Sequence, residues 1–364
     1  MSAVVVENRS EHGGPQPSSG LVVRALGEQE YAAWDRFVDT SPQGALFHSS
    51  AWMAASLLPG QIYGCFQNGV LRAGAPVYRN GSTVNPPPYT PYLGVVLPPP
   101  VGKYLTSLSR DKRLSRALAA QIRSLAASGS CRFSPSFVDA QPFIWENYEI
   151  SVRYTYHLSL ANLDAVWNGM EDARRNDIRK VQAAGVEVDP DAQFEDFLPL
   201  MRKTFGRQGQ DIPGEAEARA YDKMLKAAGQ RRCFLARDRS GAALAAAYVA
   251  WDKKTAYHLL GGYDPKIAHR GAGALALWAA IQHAGAAGLE RFDFAGSTIP
   301  DVEAFVRGFG GTLVPTLMAS WGTRDMGLRD ALALSRKSVC RVARGIPSRV
   351  AAAMRARLSP GQRK

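Results

Sequence analysis

Residues Gly261–Ser297 read GGYDPKIAHRGAGALALWAAIQHAGAAGLERFDFAGS. The order implied is a strand end, a short glycine-bearing loop, a long helix and a second strand. The loop His269-Arg270-Gly271-Ala272-Gly273 falls where a helix N-terminus presents free backbone N–H groups. Two glycines let a backbone approach an anion closely, and the helix dipole adds partial positive charge there. Such a unit suits the phosphate of an acyl carrier, with Arg270 as its charged partner.

The flanks extend this reading. Arg232–Arg237, Ala242–Trp251 and Ala256–Gly262 read as strands, with Ser240-Gly241 and Lys253-Lys254 at the turns between them. A helix is expected over Gly271–Ala287, a strand over Arg291–Ala295, a helix near Pro300–Gly308 and a strand over Thr312–Trp321. This element order is that of the GNAT acyltransferase fold.

The preceding residues follow a similar plan. Leu21–Ala25 reads as a strand, with helices at Glu28–Val38 and Ser49–Leu58. Gln61–Gln67 and Val70–Tyr78 form a hairpin around Asn68-Gly69, the dipeptide of a type I′ turn. A proline-rich loop runs over Pro86–Pro100. A helix over Leu108–Ser128 and strands over Cys131–Val138 and Glu149–Leu160 follow. Then come a basic helix over Asp164–Gly185 and helices near Phe194–Gly206 and Ala216–Gly229. The fold class is therefore α/β, mixed α+β, in two tandem halves at 21–160 and 161–322. Residues 1–20 read as a disordered leader, since they lack the basic and apolar regions of a signal peptide.

With 364 residues and 46% hydrophobic content, two ordinary cores are affordable. No apolar run approaches the ~20 residues that span a bilayer. Cys65, Cys131, Cys233 and Cys340 lie far apart, and the histidines show no ligand spacing. These features argue for reduced thiols, a cytoplasmic setting and no metal site. Residues 321–364 hold eleven Lys or Arg against two acidic residues, so +9 of the net +12 belongs to the tail. Within the tail Arg329, Arg336, Lys337, Arg341 and Arg344 oppose Leu328, Leu332, Val339 and Val342 on a helical wheel. A basic amphipathic helix over 323–364 fits tRNA phosphates, an anionic membrane surface, or simply solvent.

Several strings together resemble the Fem family of nonribosomal peptidyltransferases and their tandem GNAT-like relatives. They are ALFHSSAWM (45–53), PYTPYLGVVL (88–97), ARRNDIRKVQAAGV (173–186), LLGGYD (259–264), RFDFAGS (291–297) and FVRGFGG (305–311). The resemblance implies transfer of an aminoacyl group from aminoacyl-tRNA, or of an acyl group from CoA, to an amine or hydroxyl of a small-molecule or peptide acceptor. Either donor is a co-substrate, and no tightly bound cofactor is expected. One departure stands out. Where family members carry a Phe-Lys pair, this chain has Phe305-Val306, with Arg307 next.

Transfer from an ester or thioester needs positioning, an oxyanion partner and a base for the amine. Asp293 and Asp264 are the candidate bases, and Tyr263 the candidate acid. Backbone N–H groups at Gly262-Tyr263 are candidates for the oxyanion. Gly262, Arg270, Gly271, Gly273, Phe305 and Arg307 are expected at the carrier. His48, Trp52, Tyr89 and Tyr92 are expected at the acceptor. Three readings stay open: a Fem-like aminoacyltransferase, a CoA-dependent N-acyltransferase, and a non-catalytic module binding RNA or anionic surfaces.

Overall fold

The computed structural model describes residues 20–206, 211–264, 271–296 and 299–322. The leader at 1–19, the loop residues 265–270 with Arg270, and the tail at 323–364 lie outside them. The described residues up to Trp321 form one compact unit.

The strands, in chain order, are β1 (Leu21–Ala25), β2 (Gly60–Gln67), β3 (Val70–Asn80), β4 (Thr83–Val84), β5 (Ser128–Arg132), β6 (Glu149–Ser159), β7 (Glu187–Asp189), β8 (Arg231–Arg237), β9 (Ala243–Trp251), β10 (Thr255–Tyr263), β11 (Arg291–Asp293) and β12 (Thr312–Trp321). The helices are α1 (Tyr31–Thr40), α2 (Ser50–Ala55), α3 (Tyr104–Ser124), α4 (Gln141–Trp145), α5 (Leu163–Gly169), α6 (Asp172–Ala183), α7 (Phe194–Gly206), α8 (Glu215–Ala227), α9 (Ala272–Ala286) and α10 (Pro300–Arg307).

All the strands join one sheet in the order β1-β2-β3-β4-β5-β12-β6-β11-β10-β9-β8-β7. The two halves exchange their last strands. β6 closes the first half in sequence, yet it pairs antiparallel with β11 and β12. β12 in turn reaches back to pair with β5. The two halves therefore share an unbroken row of hydrogen bonds.

Local chemistry explains the element ends. Asn68 (φ 52°) and Gly69 (φ 75°) both take the left-handed conformation that a type I′ turn requires. Ser49 caps α2 by accepting the Trp52 N–H at 3.1 Å. The helix expected over Asp164–Gly185 is instead α5 and α6, because Met170 and Glu171 are extended (ψ 153° and 139°) and break the ladder. β5 starts earlier than expected, Phe133 keeps one hydrogen bond to Leu317 of β12, and the chain then leaves the sheet for the short helix α4 with Pro142 in its first turn.

One core lies under α9, almost wholly apolar, packed on β8, β9 and the end of β6. Another joins the halves: Phe47, Trp52 and Tyr92 pack with Phe197, Leu200 and Tyr221 of α7 and α8. This joint fixes the cleft described next.

Candidate functional site

β10 and β11 run parallel, but only Thr255–Tyr257 pair with Arg291–Asp293. Beyond that point β10 continues to Tyr263, while the other chain turns away at Ala295 (φ 57°) and Gly296 (φ 74°). A bulge at Leu259, where the β9 register shifts between His258 and Leu260, bends β10 at the same level. Together these features part the two strands. Gly296 is needed there, since a Cβ would sit 2.5 Å from the Tyr154 carbonyl oxygen.

The opening faces two adjoining clefts that share Pro91, Arg132, Ala295 and Gly296. One, of about 430 Å³, lies between the proline loop Pro86–Pro91 and Phe294–Gly296, with His258 and Leu259 beneath. The other, of about 290 Å³, is lined by Tyr92, Arg153, Thr155 and Thr316. Tyr89 on the proline wall also has a positive φ (60°), so non-glycine backbone strain faces the cleft from both sides.

Three side chains unnoticed in the sequence stand out. Burial lowers the His258 pKa to about 4, so at ordinary pH its ring is neutral and able to accept a proton, though as a weaker base than a free imidazole. Arg132 lies opposite Met318 of β12 and Arg153 opposite Thr316. Ser151 is the β6 residue opposite Met318, so Arg153, two residues on, shares the face of Arg132. Arg153 makes no ion pair among the described residues. A polar residue within a largely apolar strand could have marked His258; Arg132 and Arg153 sit in the mixed strands SGSCR and EISVRYTYHLS, which carry no such signal.

Asp293 is buried at the floor. Its Oδ1 accepts from Thr155 Oγ1 (2.7 Å), the Ala295 N–H (2.8 Å) and Tyr92 Oη (3.2 Å), and His157 Nε2 lies 3.1 Å from Oδ2. Burial and the neighbouring Asp293 charge push the Tyr92 pKa well above its ordinary value, so this hydroxyl stays a donor. Both oxygens of this carboxylate are engaged by protein groups, and it lines neither of the two clefts, only a small cavity of about 30 Å³ shared with His157 and Arg291. Asp293 ties together the proline loop, β6 and the turn after β11.

The other expected bases lie elsewhere. Asp293 pairs with Tyr257, and Asp264 is seven residues further along β10, about 20 Å away at strand rise. Asp264 is buried and ion-paired with Lys203. Tyr263 packs at the edge of the second-half core, and its N–H donates to Thr204 Oγ1 at 3.0 Å. That N–H is therefore engaged, which removes Tyr263 from the pair of backbone groups expected at the oxyanion. Gly262 serves close packing: a Cβ would meet Leu200 of α7 at 2.8 Å.

The acceptor-side expectations divide. His48 and Trp52 have no exposed surface and line no cleft described here. Trp52 stacks on Tyr221 (3.9 Å between centroids) and donates to Thr90 Oγ1 at 3.1 Å, so it props the proline loop from behind. Tyr89 and Tyr92 do line the clefts. Tyr89 Oη also donates to the Pro213 carbonyl.

Where a carrier is expected from the sequence, Gly271 (φ 97°) is the N-cap of α9, with no side-chain cap among the described residues. A Cβ on Gly271 would lie 2.6 Å from the Asp177 carbonyl oxygen of α6. Gly271→Ala is expected to cost about 2 kcal/mol of unfolding free energy in urea titration, by forced φ and by that overlap. Phe305 lies over this end: a Cβ on Gly273 would touch its ring at 3.9 Å, and Arg174 stacks on it at 4.5 Å. Val306, at the family lysine position, is buried in the core. Arg307 points to acids instead, with Glu303 at 3.0 Å and Glu171 at 3.9 Å. It does not line the clefts.

Residues 171–301 match the family model described as Acetyltransferase (GNAT) domain. None of the curated proteins matches the sequence significantly. Among solved structures, FemX is 14% identical with a TM-score of 0.57, covering 81% of this chain and 96% of its own. A tandem GNAT protein from the clavulanic acid biosynthesis pathway is 14% identical with a TM-score of 0.53, covering 82% and 98%. L-PGS from Bacillus licheniformis is 9% identical with a TM-score of 0.50, covering 83% and 95%. Residues 171–301 thus match a GNAT-type acetyltransferase domain, and the fold around them is like those of FemX and the tandem GNAT protein.

Proposed function

We propose that the protein is an acyltransferase whose acceptor binds in the cleft between the proline loop and Phe294–Gly296. The observation that carries this is the parting of β10 and β11 directly beside His258, Arg132 and Arg153. An activated ester or thioester entering from the α9 end brings its carbonyl to the parted strands. A neutral His258 takes the proton as the acceptor amine attacks the carbonyl carbon and passes it to the departing oxygen or sulfur, so that the carrier leaves as an alcohol or thiol. Arg132 and Arg153 hold an anionic group of the acceptor, and Tyr89 and Tyr92 shape the proline side.

The donor we favour is aminoacyl-tRNA. Thr204 takes the Tyr263 N–H and so occupies part of the strand edge that a long carrier arm would follow. The basic tail adds cations suited to tRNA phosphates. The second reading, an acyl-CoA donor, draws on the N-terminus of α9 behind Gly271, which no side chain among the described residues caps. The acceptor is a small molecule or peptide bearing a carboxylate or phosphate.

The test is a donor screen on purified protein, with amines carrying carboxylate or phosphate groups as acceptors. At least one charged tRNA should lose its aminoacyl group faster when acceptor is present. Transfer from acetyl-CoA with no response from any charged tRNA would overturn the donor assignment. With the productive pair, Arg153→Ala should raise the acceptor KM about 10- to 100-fold and leave kcat within a few-fold, the size of one lost charge-assisted contact.

A further inference from the structure

The first half carries an exposed apolar cluster far from any use in acyl transfer. It comprises Val101, Tyr104 and Leu105 at the start of α3, with Val138, Ile144 and Trp145 beside α4. Tyr104 is 79% exposed, Leu105 70% and Val138 83%. Single exposed apolar residues are ordinary; a contiguous group on one face is not.

Salt links bring the α4 residues of this group to the side of α3 that carries Leu105, and Val101 and Tyr104 flank Leu105 in sequence. Lys112 and Arg116 follow Leu105 by seven and eleven residues, within about 20° of it on the helix wheel. Lys112 bonds Asp139, the neighbour of Val138, at 2.6 Å, and its ammonium sits 5.2 Å from the centre of the Trp145 ring. Arg116 holds Glu146 at 2.7 Å. These ties set Val138, Ile144 and Trp145 beside the Leu105 stripe.

The charge around the cluster is positive. Residues 101–124 contain Lys103, Arg110, Lys112, Arg113, Arg116 and Arg123 against Asp111 alone. Asp139 and Glu146 of the neighbouring segment still leave an excess of three. Arg110, Lys112 and Arg116 are ion-paired with Asp111, Asp139 and Glu146, so the excess falls on Lys103, Arg113 and Arg123 along α3. Aromatic and aliphatic side chains beside this net positive charge make an amphipathic surface suited to the headgroup level of an anionic bilayer.

We propose that this α3–α4 face is a docking surface for an anionic lipid membrane. The chain's own tail is a poor occupant, because its net charge of +9 repels a basic face. A second copy would set α3 against α3 across a two-fold axis, cation to cation. RNA would use the cations and leave Val101, Leu105, Val138 and Ile144 without a partner. Acidic lipid engages both components. This inference is independent of the acyl-transfer reading.

The experiment is sedimentation of the full chain with vesicles of phosphatidylcholine containing about one-third phosphatidylglycerol. Binding should weaken at least tenfold in neutral phosphatidylcholine vesicles and in Leu105→Asp, an exposed change that leaves the melting temperature in place. Tryptophan emission should shift to the blue on adding acidic vesicles, and the shift should shrink in Trp145→Phe. Three results overturn the proposal: no sedimentation of the parent chain; equal sedimentation of Leu105→Asp, which assigns binding to the tail; or RNA binding or dimerisation, lost in Leu105→Asp, without vesicle binding.

Discussion

His258→Gln should lower kcat/KM by about 10²- to 10³-fold, the usual contribution of a positioned general base. Glutamine keeps polarity and approximate size at the bulge, so loss of proton acceptance is the main change. The pH profile supplies a control that a purely structural role would not reproduce. Burial holds the His258 pKa near 4, so the base form persists through mildly acidic pH and the acid limb of the parent enzyme should fall at about 4. An acid limb at the ordinary histidine value, or turnover unchanged in His258→Gln, would sink the assignment. Stability gives the matching sign. The folded-state pKa lies below the unfolded value, so the unfolded chain binds more protons between roughly pH 4 and 6.5. His258 therefore costs stability as pH falls through that window and nothing above it. His258→Gln should flatten this part of the pH–stability curve by up to about 1.4 kcal/mol per pH unit.

The residues that made the fold legible are those whose conformation is local. Asn68-Gly69 imposes its turn whatever surrounds it. The apolar run Ala272–Ala286, capped by a left-handed Gly271, forms a buried helix by the same logic. The strand exchange is different in kind. β6 lies between β11 and β12, partners more than a hundred residues away in sequence, and nothing in ISVRYTYHL names them. The site was hidden for the same reason. His258 becomes a cleft residue only through the bulge at Leu259 and the turn at Ala295-Gly296. Arg132 and Arg153 come to one face only because β12 crosses between their strands. Conversely, Trp52 belongs to a resemblance-bearing string, yet its indole is spent stacking on Tyr221 and holding Thr90. A motif aromatic can serve the site from behind its wall. The loop that opened the reading, with Arg270, lies outside the described residues, and only Gly271 onward is placed.

Asp293→Ala should be the most damaging single change to the fold, at about 3–5 kcal/mol in urea unfolding. The alanine removes the acceptor for Thr155 Oγ1, Tyr92 Oη and the Ala295 N–H, and it strips His157 of its carboxylate partner. These groups come from the proline loop, β6 and the turn after β11, so the loss loosens three walls of the cleft at once. Turnover should disappear with it. Asp293→Asn separates shape from charge. An asparagine can aim its oxygen at the three Oδ1 donors and its amide at His157 Nε2, which accepts when the ring proton sits on Nδ1. Asn should therefore keep stability within about 1 kcal/mol and retain most activity, provided the carboxylate itself moves no proton. If Asn abolishes turnover while the protein stays folded, Asp293 takes part in the chemistry through His157. If Ala leaves unfolding unchanged, the hydrogen bonds counted at Asp293 do not hold the two halves together, and the cleft owes its shape to the apolar joint of Phe47, Trp52 and Tyr221 alone.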